Sequence, residues 1–93
     1  MIEKNVKIHN KAGIHCRPSS VILNTINVEY PNNTFYISAF GQETELNSIL
    51  SLISLGMQYG DKATLKVDGP DAEVACEKIA SLLEFEYDFP PRT

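Results

Sequence analysis

The residues whose types and spacing suit chemistry are Gly13-Ile14-His15-Cys16-Arg17-Pro18. An imidazole closes a turn, an arginine stands two residues on, and a proline precedes an apolar run. That order predicts a helix start at or just after His15. A helix start presents unsatisfied backbone N–H groups and the positive end of the helix dipole, which together make an anion site. A phosphoryl group is the anion that suits a histidine with Arg17 beside it. The positive helix end disfavours the imidazolium, so His15 is expected to have a lowered pKa and to present a neutral, nucleophilic nitrogen near pH 7. An attached phosphoryl group would then be bound by helix N–H groups and by Arg17.

Other readings of the same stretch are open. His15 could be a plain capping or surface histidine. Cys16 sits where a helix start lowers a thiol's pKa, so an enzyme with a Cys16 nucleophile is conceivable, although no separate activating base accompanies it. His9, His15 and Cys16 have no recognised ligand spacing, so no metal site is expected. His9 reads as an ordinary strand-end residue, and Cys76 as a small buried helix residue.

A chain of 93 residues predicts one domain over 1–93. The net charge of −4 argues against nucleic-acid binding, which needs clustered cations. The longest apolar-rich stretch, Ile49 to Met57, is too short to span a bilayer, so no membrane insertion is expected. The chain begins without a charged-then-apolar leader, and its two cysteines form no C-x-x-C or zinc pattern, which together point to the cytoplasm. No cofactor is implied.

The elements that position Gly13–Pro18 follow from periodicity. Ile2 to Ile8 alternates as a half-buried strand, flawed by Lys4 on the apolar side. Pro18 to about Val28 reads as a helix with Val21, Ile22, Thr25 and Ile26 as its stripe, weakened by β-branched residues. Thr34–Ala39 and Gln42–Leu46 form a hairpin around the turn Phe40-Gly41-Gln42. Asn47-Ser48 caps a short apolar helix over Ile49–Leu55, with Gly56 at its end. Lys62–Val67 is a clean alternating strand. Pro70 and Asp71 suit the first turn of a last helix whose stripe is Ala72, Ala75, Cys76, Ile79, Leu82 and Leu83. The order β-α-β-β-α-β-α in so short a chain predicts an α+β fold, one sheet with helices on one face.

As a set, these residues resemble the histidine-containing phosphocarrier (HPr) family of the sugar phosphotransferase system. Gly13–Pro18 is similar to its phosphorylation-site signature, and Asn47–Gly56 to its second signature. Gly60–Leu65 is similar to its following strand, and Asp68–Glu73 to the start of its last helix. The likeness spans about residues 2–84. It implies an open-faced β-sandwich, a four-stranded antiparallel sheet covered by three helices. It also implies a phosphoryl carrier, a monomer, and not an enzyme acting on a small substrate. Enzyme I would phosphorylate His15, and phospho-His15 would supply an enzyme IIA domain of a sugar transporter. Ser48 matches the serine that HPr kinase/phosphorylase modifies in many family members; a plain N-cap is the competing reading. Ile49, Leu50 and Ile53 would dock partners, unless some of them serve only the core. A regulatory protein-binding module of the same fold, not dedicated to sugar transport, is the alternative function.

The chain departs from the family at several points. Cys16 and Ala12 stand where alanine and a small polar residue are usual. Asn24, Asn27 and Asn47 stand in regions where lysines are frequent, which predicts weaker charge steering of partners. The 85–93 tail has no clear counterpart.

Overall fold

The computed structural model describes residues 1–10, 13, 14 and 16–85, the side chain of Cys16 excepted. β1 (Ile2–Lys7) leads to α1 (Cys16–Glu29). The hairpin of β2 (Thr34–Ala39) and β3 (Gln42–Glu45) follows, then α2 (Ile49–Ile53), β4 (Lys62–Asp68) and α3 (Ala72–Glu84). The strands lie in the order β1-β4-β2-β3, and each neighbouring pair is antiparallel. α3 packs on β1 and β4, α1 packs on α3, and α2 packs on α1. This is the four-stranded, helix-covered open sandwich that the element order predicts.

Alternation decides which face is covered. Val6 pairs with Ala63, while Leu65 faces Ile37 and Val67 faces Phe35, and all of these are buried. Each large apolar side chain fully buried there contributes about 1.5–3 kcal/mol. The opposite face carries Glu3, Lys66, Tyr36 and Glu45 across the four strands. On it Lys66 reaches Glu43 at 3.0 Å and Glu3 at 3.9 Å. The hydrogen bond to Lys66, helped by one from Ser38, holds the Glu43 carboxyl below its usual pKa, and Lys66 is correspondingly raised.

Lys4, the flaw in β1, is resolved by its place on an edge strand. Its stem runs along the covered side while its ammonium meets the Glu77 carboxylate of α3 at 3.0 Å.

α1 is longer than the apolar pattern suggests, and its buried stripe is rotated. Pro18, Ser19, Ile22, Leu23 and Ile26 face inward, whereas Val21 is 39% exposed and Thr25 is half-buried. The consecutive run Val21-Ile22-Leu23 fits two adjacent stripes equally well, and packing against the neighbouring elements buries the one containing Leu23. Burial of this face overrides the weak propensity of its β-branched residues.

Two helix ends also differ from expectation. α2 stops at Ile53, with Ser54 as its C-cap, and Gly56 takes its positive φ of 66° two residues later, donating to the Ile53 carbonyl at 2.9 Å. Pro70 and Asp71 lie outside α3. Asp71 is its N-cap, in the left-handed region at φ 55°, with no side-chain capping bond. The two-residue β2–β3 turn, Phe40-Gly41, has positive φ at both positions, the conformation that matches strand twist in a tight hairpin.

Candidate functional site

The site is built where β1 runs out and two connecting segments meet. One links β1 to α1, the other α2 to β4. Past the end of β1, Ile8 N–H donates to the Asp61 carbonyl and Gly60 N–H donates to the Ile8 carbonyl, each at 2.8 Å. The α2–β4 segment is closed on itself: Gln58 N–H donates to Asp61 Oδ2 at 2.8 Å, and Asp61 N–H to the Gln58 carbonyl at 2.9 Å. This makes a platform for the β1–α1 segment.

Gly13 lies directly on that platform. Its φ is +76°, and a Cβ there would stand 2.8 Å from the Met57 carbonyl oxygen and 3.1 Å from Gln58 Cα. Both reasons for a glycine, positive φ and close backbone approach, therefore apply at once. Gly13 N–H donates to the Asn10 carbonyl at 2.9 Å, and Ile14 N–H to the Met57 carbonyl at 3.0 Å. Asn10 is 2% exposed, and its side-chain amide donates to the Gly13 carbonyl at 2.8 Å. Sequence reading gave Asn10 no role. The available signal was a side chain able to hydrogen-bond local backbone, three residues before a glycine.

Lys11, Ala12 and His15 lie outside the described residues, and so does the Cys16 side chain. The expectations that fall on them, the lowered pKa of His15 and the Cys16 thiol included, lie outside the described residues with them. α1 begins at Cys16, the residue after His15, and its first turn contains Arg17, half-buried, and no acidic residue. Backbone N–H groups in that turn have no intrahelical acceptor. Pro18, third in the helix, lacks an N–H that would otherwise be one of these donors. The positive helix end is thus uncompensated from within the helix. An anion gains about 0.3–1 kcal/mol from such an end at the surface and up to ~2 when partly buried.

The second predicted region is α2. Ser48 is its N-cap: Ser48 Oγ accepts from Ser51 N–H at 3.1 Å and lies 2.9 Å from Ser51 Oγ. Ser51 Oγ donates to Asn47 Oδ1 at 3.0 Å. Ser51 has one hydroxyl proton, so in that arrangement Ser48 donates to Ser51 while accepting from its amide. Asn47, Ser48 and Ser51 thus form one capping network, and Ser51 is the member that sequence reading missed. Within α2 the apolar residues divide. Leu50 is 78% exposed, Ile49 36%, Ile53 is half-buried and Leu52 is fully buried. On α1, Val21 and Val28 are exposed, as are Asn24 and Asn27, and the last turn carries no basic residue. The exposed surface of α1 and α2 is therefore apolar and amide-rich rather than cationic.

Cys76 lies elsewhere, buried in α3, where desolvation pushes its thiol pKa up and makes it a poor nucleophile. Among the described residues no helix is long and apolar enough to cross a membrane.

A family model described as the PTS HPr component phosphorylation site matches residues 2–84. The phosphocarrier protein HPr of Mycoplasma pneumoniae is 35% identical over 79 residues, spanning 85% of this chain and 89% of that protein. Among solved structures, the phosphocarrier protein HPr of Bacillus anthracis superposes with a TM-score of 0.80 at 27% identity, over 88% of this chain and 95% of that one. Crh, a Bacillus subtilis catabolite-repression protein crystallised as a domain-swapped dimer, superposes with a TM-score of 0.68 at 26% identity, over 89% and 93% of the two chains. The match runs from β1 to the last residue of α3, with the α1 start inside it, and on that footing the chain belongs to the HPr phosphocarrier family of the phosphotransferase system.

Proposed function

We propose that this chain is a phosphoryl shuttle, a carrier rather than an enzyme, with His15 as the acceptor. A neutral imidazole nitrogen of His15 attacks the phosphorus carried by enzyme I. The new N–P bond forms as the bond from phosphorus to enzyme I breaks. Arg17 and the first-turn N–H groups of α1 hold the phosphoryl oxygens. An enzyme IIA domain then takes the group, and His15 returns to its free form. A site of this kind has to bind its anion weakly enough to release it, which suits a dipole end and one arginine better than a cluster of cations.

The observation that carries this reading is the α1 start: a helix that begins one residue after His15, with Arg17 and no carboxylate in its first turn. The described residues share one sheet and one core, which supports treating the chain as a single domain. Ile49, Leu50 and Ile53 would form the docking surface with enzyme I and enzyme IIA domains, Leu50 being the most exposed of the three.

The likeness to Crh favours a second reading, a regulatory binding module controlled through Ser48 by HPr kinase/phosphorylase. Ser48 is exposed and at a helix N-cap, where the dipole tolerates a phosphate, but its hydroxyl would first leave the Ser51 network.

The two readings separate in one assay. The chain is incubated with a cognate enzyme I and phosphoenolpyruvate, then chased with enzyme IIA. The shuttle reading expects an acid-labile phosphate that appears, passes on, and is absent from His15→Ala. No phosphate on the wild-type chain, or normal transfer by His15→Ala, would sink it.

A further inference from the structure

The Gly13–Ile14 peptide unit is gripped from both ends. Its carbonyl accepts from the Asn10 side-chain amide at 2.8 Å, and its N–H donates to the Met57 carbonyl at 3.0 Å. Asn10 also accepts the Gly13 N–H through its own backbone carbonyl at 2.9 Å, so one residue takes up both backbone polar groups of Gly13. Asn10, Gly13 and Ile14 are all buried, which shields these bonds from competing water. A peptide unit held at its carbonyl and its N–H has little freedom to rotate about ψ of Gly13 or φ of Ile14. Those torsions set the peptide unit next before the one that joins Ile14 to His15.

We infer that Asn10 is a positioning residue for His15: its side-chain amide fixes the Gly13–Ile14 peptide plane against the Met57 carbonyl and thereby sets the direction in which the chain enters the acceptor position and α1. This inference rests on the reading of His15 as the phosphoryl acceptor. The grip divides in two. Met57 holds the N–H through backbone alone, so only the carbonyl half depends on a side-chain choice. Without the Asn10 amide the carbonyl loses this donor and the plane can tilt about the remaining Ile14–Met57 bond. Group transfer is sensitive to such tilts, and a displacement near 1 Å costs on the order of 100-fold in rate.

The test compares wild type with Asn10→Ala, Asn10→Leu and Cys76→Ala. Leucine has nearly the shape of asparagine without its donor. Cys76→Ala opens a small cavity in α3, away from the loop. Two quantities are read: kcat and KM of the chain as phosphoryl acceptor from enzyme I, and the titration midpoint of the His15 imidazole by NMR. The expected result is a loss of about tenfold or more in kcat for both Asn10 variants with KM nearly unchanged, and a moved His15 midpoint. Cys76→Ala leaves both at wild-type values.

Wild-type kcat and midpoint in the Asn10 variants would overturn the inference, as would an equal fall in Cys76→Ala. A wild-type chain that takes no phosphoryl group overturns the His15 reading instead, and the imidazole titration, which needs no enzyme I, still judges Asn10. Should the Asn10 variants not fold, hydrogen exchange on the wild-type chain decides. Slow exchange of both the Asn10 side-chain amide and the Ile14 N–H supports the grip, and fast exchange of either overturns it.

Discussion

Gly13 and Gly41 form a natural pair for measuring the contact on which the site stands. Their φ values are +76° and +77°, so an added methyl meets nearly the same backbone penalty at each, about 1–2 kcal/mol. Their surroundings differ. At Gly41 an added Cβ would meet nothing within 4 Å, whereas at Gly13 it would stand 2.8 Å from the Met57 carbonyl and 3.1 Å from Gln58 Cα. Both neighbours are backbone, and the segment that carries them is tied down by its bonds to Ile8 and Asp61. Relief therefore requires the two segments to separate, with strain of the size seen for overpacked interiors, about 1–3 kcal/mol more. Gly41→Ala should lose about 1–2 kcal/mol and Gly13→Ala about 2–5. For a domain near this size, each kcal/mol moves Tm by about 4–8 °C, so the pair should differ by a readily measured ~4–24 °C. Urea and thermal unfolding of the two variants supply the comparison. Equal destabilisation would refute the claim that Gly13 is pressed against the Met57–Gln58 backbone.

Three further outcomes are expected. Ser48→Ala removes the α2 cap acceptor and should destabilise the fold by about 1 kcal/mol in urea unfolding, while Asn47→Ala, one bond further along the same network, should lose less. Glu43 is held below its ordinary carboxylate pKa by Lys66 and then Ser38, so the unfolded chain binds this proton more readily than the folded one. The stabilisation is present above its ordinary pKa of 4.5 and is lost as pH falls through the lower folded value; Glu43→Gln should therefore lose less stability than wild type between neutral and acid pH in paired unfolding curves. Leu50→Ala should leave stability within about 0.5 kcal/mol, because the side chain is mostly in solvent, yet should weaken binding to enzyme I or enzyme IIA, and that binding should depend little on ionic strength.

Much of the architecture was legible because its signals are local. The Lys62–Val67 alternation, the Phe40-Gly41 turn and the Ser48 cap each depend on a few adjacent residues, and each appears in the structure. What sequence could not resolve was decided by partners distant along the chain. Val21 and Leu23 flank Ile22 symmetrically, and only the packing of α1 against its neighbours left Leu23 buried and Val21 exposed. Lys4 looked like an error in β1 until Glu77 came within 3.0 Å of it. Asp71, read as part of the first helical turn, instead turns left-handed just outside it.

The candidate site divides in the same way. The Gly13–Pro18 run announced itself through residue types. The Met57 carbonyl that presses on Gly13 belongs to a segment more than forty residues on in the sequence, and a backbone oxygen leaves no mark on residue identity. Asn10 did leave one, but a loop asparagine has too many common uses to be read as a clamp without its partner in view.

The central claim is that His15 carries a transferable phosphoryl group, and phosphorus NMR with site-resolved mass spectrometry tests it most directly. The chain is treated with a cognate enzyme I and phosphoenolpyruvate, and the phosphorylated position is identified under conditions that preserve phosphohistidine. The account predicts a single acid-labile phosphoryl group on an imidazole nitrogen of His15, discharged when an enzyme IIA domain is added. A chain that stays unmodified, or one that carries its phosphate on any other residue, would contradict it.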